Sequence, residues 1–182
     1  MQRMRVAFVA AGVVVFVCAG QIVGIAQGKE ILMSSSAQAQ SAGLLGTWRL
    51  VSYEGRDSSG KVQYPLGEHV TGLLVYDATG NVSAHIMRTD RPLFAEQDSR
   101  RGTDSEVRAA FEGHVSYFGT YVIDRQKQTV THRVIGASFP NWIGSEQLRY
   151  YRFEGPRLLL STPPIIVNGQ SLEFVLIWER LQ

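Results

Sequence analysis

From Thr47 onward the chain runs in short stretches of alternating apolar and polar residues, each closed by Gly, Pro, Asn or Asp. That period of two, with turn residues between the runs, predicts antiparallel strands rather than alternating β and α units. Strands are expected at 47–54, 61–64, 71–77, 81–88, 119–124, 129–136, 147–154, 157–161 and 172–180. The clearest hairpin joins 71–77 to 81–88 through Ala78-Thr79-Gly80. One stretch changes period. Val107, Ala110, Phe111 and Val115 share a helical face, so a helix is predicted over 104–115, between the fourth and fifth strands. Thr103 and Glu106 stand at the spacing of a capping box at its start.

A single antiparallel sheet of about eight to ten strands removes its exposed edges most simply by closing on itself. The expected fold is therefore an all-β, up-and-down β-barrel with one inserted helix. Closure at about eight strands leaves an interior for side chains or one small ligand. Alternation then sorts each strand by face. If Trp48 points inward, so should Leu50, Ser52 and Glu54. Ser83, His85 and Met87 share one face of their strand, and Val82, Ala84, Ile86 and Arg88 the other. Arg149, Tyr151 and Phe153 share a face, as do Phe174, Leu176, Trp178 and Arg180.

The N-terminal stretch has a different character. Two arginines in residues 1–5 precede an apolar run from Val6 to Cys18, and small polar residues lead to Ala37-Gln38-Ala39. This is the order of a secretory signal peptide, with cleavage expected before Gln40 and a periplasmic or secreted domain over residues 40–182. The alternative is an uncleaved anchor, because residues 6–26 are long and apolar enough to span a bilayer and hold the domain to a membrane facing the periplasm. The segment changes the charge picture. Without Arg3, Arg5, Lys29 and Glu30 the remaining chain holds 15 basic and 15 acidic residues, a balance that offers nothing to nucleic acid. The one cysteine, Cys18, also lies there, so the domain has no disulfide and relies on its core.

Several ordered stretches carry a resemblance. They are Gly46-Thr47-Trp48-Arg49-Leu50-Val51-Ser52, Tyr64-Pro65-Leu66-Gly67, Gly72-Leu73-Leu74-Val75-Tyr76 and Ser83-Ala84-His85-Ile86-Met87-Arg88. Phe118-Gly119-Thr120-Tyr121, Phe139-Pro140-Asn141-Trp142, Ser161-Thr162-Pro163-Pro164 and Trp178-Glu179-Arg180 continue the series. From Leu45 to Arg180 the chain resembles the lipocalin-like domain family of bacterial and fungal proteins. The resemblance implies a closed or nearly closed barrel with a cavity, and brings no catalytic motif with it. Where the family often carries Gln on the fourth strand, this chain has His85.

Trp48 and Arg180, near the two ends of the domain, are expected to close the barrel floor by stacking of guanidinium on indole. The four histidines have neither His-x-His nor His-x-x-x-His spacing and no cysteine beside them, so no metal site and no cofactor are expected. No Gly-x-Ser-x-Gly stands in the chain, and the types present (Glu54, Tyr76, His85, His132, Arg149, Tyr151) suit orienting a ligand or moving a proton. The candidate ligand-binding residues are Tyr76, His85, His132, Trp142, Arg149 and Tyr151. The 139–142 loop, the Pro163-Pro164 turn and the helix bearing Phe111 are each placed to plug or gate a barrel mouth. The leading expectation is non-catalytic binding of a small, largely hydrophobic molecule. The alternatives are an isomerase or cyclase working by acid–base groups in the barrel, and a filled barrel with a structural or interaction role.

Overall fold

In the computed structural model, which describes residues 43–181, the strands close on themselves as expected. They are β1 (Gly46–Arg56), β2 (Val62–Gln63), β3 (Val70–Tyr76), β4 (Asn81–Arg88), β5 (His114–Asp124), β6 (Thr129–Ala137), β7 (Glu146–Glu154), β8 (Arg157–Ser161), β9 (Ile165–Val167) and β10 (Gln170–Arg180). The helix α1 (Asp104–Glu112) lies between β4 and β5. Neighbouring strands pair antiparallel in the order β1-β3-β4-β5-β6-β7-β8-β10, and β10 pairs back onto β1 to complete an eight-stranded barrel. The short β2 and β9 attach to one rim. The expected signal or anchor segment, its cleavage site and residues 6–26 lie outside the described residues. No helix among the described residues is long and apolar enough to cross a membrane.

Two elements differ from the expectation drawn on sequence. The helix ends at Glu112 because Gly113 caps it, its N–H reaching the carbonyls of Ala109 and Phe111, and β5 starts at His114 instead of Gly119. The chain after Pro164 forms β9, a three-residue strand paired with Gln170–Leu172. The capping box is present, Thr103 accepting from the Glu106 N–H and the Glu106 carboxylate accepting from the Thr103 N–H.

Two irregularities decide which side chains enter the barrel. On β1 the register shifts between Leu50 and Ser52, leaving Val51 unpaired with β10. An extra residue moves every later side chain to the other face. Trp48 and Leu50 therefore point in, but Tyr53 follows them, and the expected inward placement of Ser52 and Glu54 is corrected: Glu54 binds Arg56 and Ser52 instead. On β6, Phe118 faces Gly136 and Gly119 faces Val134, so Ile135 is the extra residue and stands exposed. A Cβ on Gly119 would lie 1.9 Å from the Arg133 carbonyl oxygen, so only glycine allows the two backbones this approach.

The closed end is built from both ends of the domain. Trp48, 1 % exposed, donates its indole N–H to the Leu44 carbonyl at 2.9 Å, and the Arg180 guanidinium carbon lies 4.1 Å from its ring centre. Arg180 also donates to the Leu45 carbonyl. Gly46, at φ +122°, leaves the space that Arg180 fills; a Cβ there would meet its Nη1 at 2.6 Å. Above this floor Leu50, Leu74, Val130, Val134, Leu158, Leu160 and Leu176 form the apolar wall.

Candidate functional site

The inward faces of the strands do not meet across the whole interior. They leave a chamber of about 520 Å³. Its walls are Leu74 on β3, Ala84 and Ile86 on β4, Val115 and Tyr117 on β5, Leu160 on β8, and Phe174, Leu176 and Trp178 on β10. Tyr53 enters from β1 because of the bulge, and Gln147 and Arg149 from β7. Trp142 and the Pro163–Val167 stretch cover the rim opposite the Trp48 floor. This is the size of pocket, and the mix of apolar wall with few polar groups, that holds a small organic molecule.

The polar side of the chamber is organised around His132, which is fully buried on β6. The Tyr76 hydroxyl lies 2.7 Å from its Nε2 and the Tyr117 hydroxyl 2.8 Å from its Nδ1. Burial, and then the nearby positive charge of Arg149, push His132 down to about 3, so it is neutral at physiological pH. Burial also holds Tyr76 well above its ordinary value and raises Tyr117, while it takes Tyr53 up to about 12 against the pull of Arg149. Tyr121 braces Tyr76 edge-on at 4.9 Å and donates its hydroxyl to the Asp77 carbonyl.

Arg149 is the cation of this chamber. It donates to the Leu148 carbonyl at 2.8 Å and to Gln147 Oε1 at 3.3 Å. Among the described residues no carboxylate lies within ion-pair distance of it. Glu146 borders the chamber, but its carboxylate is held by Arg133 at 2.9 Å.

Of the six residues proposed from sequence, the fold brings Trp142 and Arg149 to the chamber wall. His132 and Tyr76 sit directly behind Tyr117, one hydrogen bond removed from the interior. His85 does not take part: Val82, Ala84 and Ile86 are the inward residues of β4, so His85 lies outside the barrel, stacked on His114 at 6.3 Å. Tyr151 packs against the core and Phe153 without bordering the chamber. Tyr117 falls between the helix expected to end at 115 and the strand expected to begin at 119, although Val115, Tyr117, Gly119 and Tyr121 alternate with Ser116, Phe118 and Thr120. No group of three or more metal-ligating side chains occurs among the described residues.

Fold and chamber together define the class, a closed antiparallel β-barrel around a largely apolar interior. The chain belongs to the lipocalin-like domain family, which matches it over residues 45–181. A 4'-hydroxy-3'-methoxypropiophenone carrier protein from Aspergillus oryzae (strain ATCC 42149 / RIB 40) is 33 % identical over 107 residues, spanning 55 % of this chain and 96 % of the relative. A crystal structure of a lipocalin-like protein from Bacteroides uniformis ATCC 8492 aligns with a TM-score of 0.40 and 13 % identity, over 76 % of this chain and 98 % of that one.

Proposed function

We propose that the protein carries a small, largely hydrophobic molecule in its barrel chamber and returns it unchanged. The observation that supports this reading is the 520 Å³ interior, walled by aliphatic and aromatic side chains and given polarity by Arg149 and Tyr117. A filled structural barrel would have no such space. The Aspergillus relative is named as a carrier of an aryl ketone, a molecule of the same general kind, an aromatic body with oxygen at its ends. Acid–base catalysis finds less support. A general base works best with a pKa near the operating pH, and His132 is held about 3, behind Tyr117. The segment before Gln40 supports export to the periplasm or beyond, with residues 6–26 as a membrane tether if it stays attached.

Native mass spectrometry of the protein purified from its own host tests the proposal. A bound small molecule, released chemically intact and rebound by the emptied protein, is the expected result. A molecule altered on incubation would replace carriage with catalysis, and a protein that neither arrives loaded nor takes up hydrophobic probes would sink both. N-terminal sequencing of exported protein should begin at Gln40; a Met1 start on membrane-bound protein would favour the tether.

A further inference from the structure

Arg149, Tyr117 and Trp178 bring donor groups to the chamber lining, and the Glu146 carboxylate at its border is held by Arg133. Arg149 has only N–H groups to offer. The Gln147 carbonyl oxygen is turned to Arg149 at 3.3 Å and its amide N–H₂ to Ser145 at 3.1 Å, so both ends of Gln147 already have partners within the protein. Trp178 lines the chamber and is 1 % exposed, yet its indole N–H is buried with no acceptor among the described residues. Buried donors are normally satisfied, so one left open beside a chamber points to an acceptor that arrives with a ligand.

The Tyr76–His132–Tyr117 row adds a third donor. Neutral histidine gives one N–H and accepts one, so one tyrosine donates to it and the other receives from it. Tyr76 is 1 % exposed and, among the described residues, has no hydrogen-bonding side chain beyond His132. Were it to receive, its own O–H would be left buried and unmade. It therefore donates to Nε2, and the Nδ1–H donates to the Tyr117 oxygen. That leaves the Tyr117 O–H free to turn toward the chamber it lines. Arg149, Trp178 and Tyr117 thus line one interior with donor groups, and one of them carries a positive charge beside a largely apolar wall. The half-buried Arg149 has hydrogen bonds but no carboxylate beside it among the described residues, and a carboxylate-like partner would supply both the counter-charge and several acceptor lone pairs.

We infer that the barrel selects apolar molecules ending in an oxyanion, held by Arg149, Tyr117 and Trp178. This rests on the carrier reading and specifies the chemistry of the cargo. The test uses matched probes with the same apolar body: octanoate, decanoate and 4-phenylbutanoate, the corresponding primary alcohols, and the corresponding amines. Binding to the delipidated protein is followed by tryptophan emission and calorimetry at constant pH and salt. The carboxylates should bind about tenfold or more tighter than the alcohols, which can both donate and accept, and the amines should bind weakest. Arg149→Gln should erase the advantage of carboxylate over alcohol while alcohol affinity stays within a fewfold. Tyr117→Phe should reduce carboxylate affinity less, with the thermal midpoint of each variant confirming that the barrel is folded. Alcohols or amines binding as tightly as carboxylates would overturn the inference and leave carriage standing, as would an Arg149→Gln protein with the preference intact. Absence of binding by every probe would overturn the inference and the carrier reading together.

Discussion

Arg180 lies over the indole of Trp48, its guanidinium carbon 4.1 Å from the ring centre, and so joins the last strand of the barrel to the first. The register of β1 on β10 places these two residues directly opposite each other. The contact is a lid on the hydrophobic interior more than an ion pair, since it spreads the Arg180 side chain across the ring and ties it to the Leu45 carbonyl. Arg180→Ala should lower stability by about 1–2 kcal/mol, the range of a cation–π contact with some lost packing, and Arg180→Lys should recover only part of it. Urea unfolding midpoints of the three proteins decide this. Equal midpoints would show that the floor is closed by Trp48 alone.

The buried histidine makes a pH signature. His132 has an ordinary value of 6.5 and is pushed to about 3 in the folded chain, first by burial and then by Arg149. Between those two values the unfolded chain binds a proton that the folded chain refuses. Its contribution is therefore fully present above pH 6.5 and is lost as pH falls toward 3, at up to about 1.4 kcal/mol per pH unit. His114, also lowered by burial and by Arg91, adds a smaller slope of the same sign. Unfolding free energy measured by urea at several pH values should fall through this window, and His132→Gln should flatten most of the slope. A wild-type profile flat between pH 6.5 and 4 would contradict the burial of a neutral His132.

Much of the barrel was legible in the sequence because strands with one buried face write that face as a period of two. Val82, Ala84 and Ile86, or Phe174, Leu176 and Trp178, are read without coordinates. The site was less legible, for three physical reasons. The bulge at Val51 exchanges faces without any change in composition, which is how Tyr53 replaced Ser52. Helical spacing from Val107 to Val115 ran on past Gly113 and concealed the strand carrying Tyr117. His85 has the chemistry of a site residue, but its apolar neighbours Val82, Ala84 and Ile86 take the interior face of the strand. The hydrogen bonds of His132 join residues 56 and 15 positions away in sequence, a convergence that only the closed barrel creates.

Trp142 separates two spaces. It stands in the 3-10 turn Pro140–Trp142, edge-on to Tyr117 at 6.1 Å and to Phe139 at 5.8 Å. It borders the chamber on one side and, on the other, an outer groove of about 210 Å³ shared with Phe111 and Phe139. Removing the indole joins the two spaces. Trp142→Ala should speed release of a bound fluorescent fatty acid about tenfold in stopped-flow displacement, with a smaller change in the rate of entry, because affinity changes within one interface fall mainly on dissociation. Unchanged release would make Trp142 a fixed wall and turn attention to the Pro163–Val167 rim.

Filling the chamber separates container from scaffold. Ala84 is 2 % exposed, points inward from the middle of β4 and borders the cavity. In a close-packed core, Ala84→Trp would force neighbours aside at a cost of typically 1–3 kcal/mol. Here the added indole has about 520 Å³ to enter. It should therefore leave the thermal midpoint within a few degrees or raise it, since it buries apolar surface in space that is otherwise empty. Ligand binding, followed by the same displacement assay, should be lost. Arg149 and the Tyr76–His132–Tyr117 row remain in place in this variant, so retained fold with lost binding assigns the function to the volume as well as to its donors. A variant that unfolds would show that Ala84 meets packed neighbours, and a variant that still binds would move the site out of the barrel.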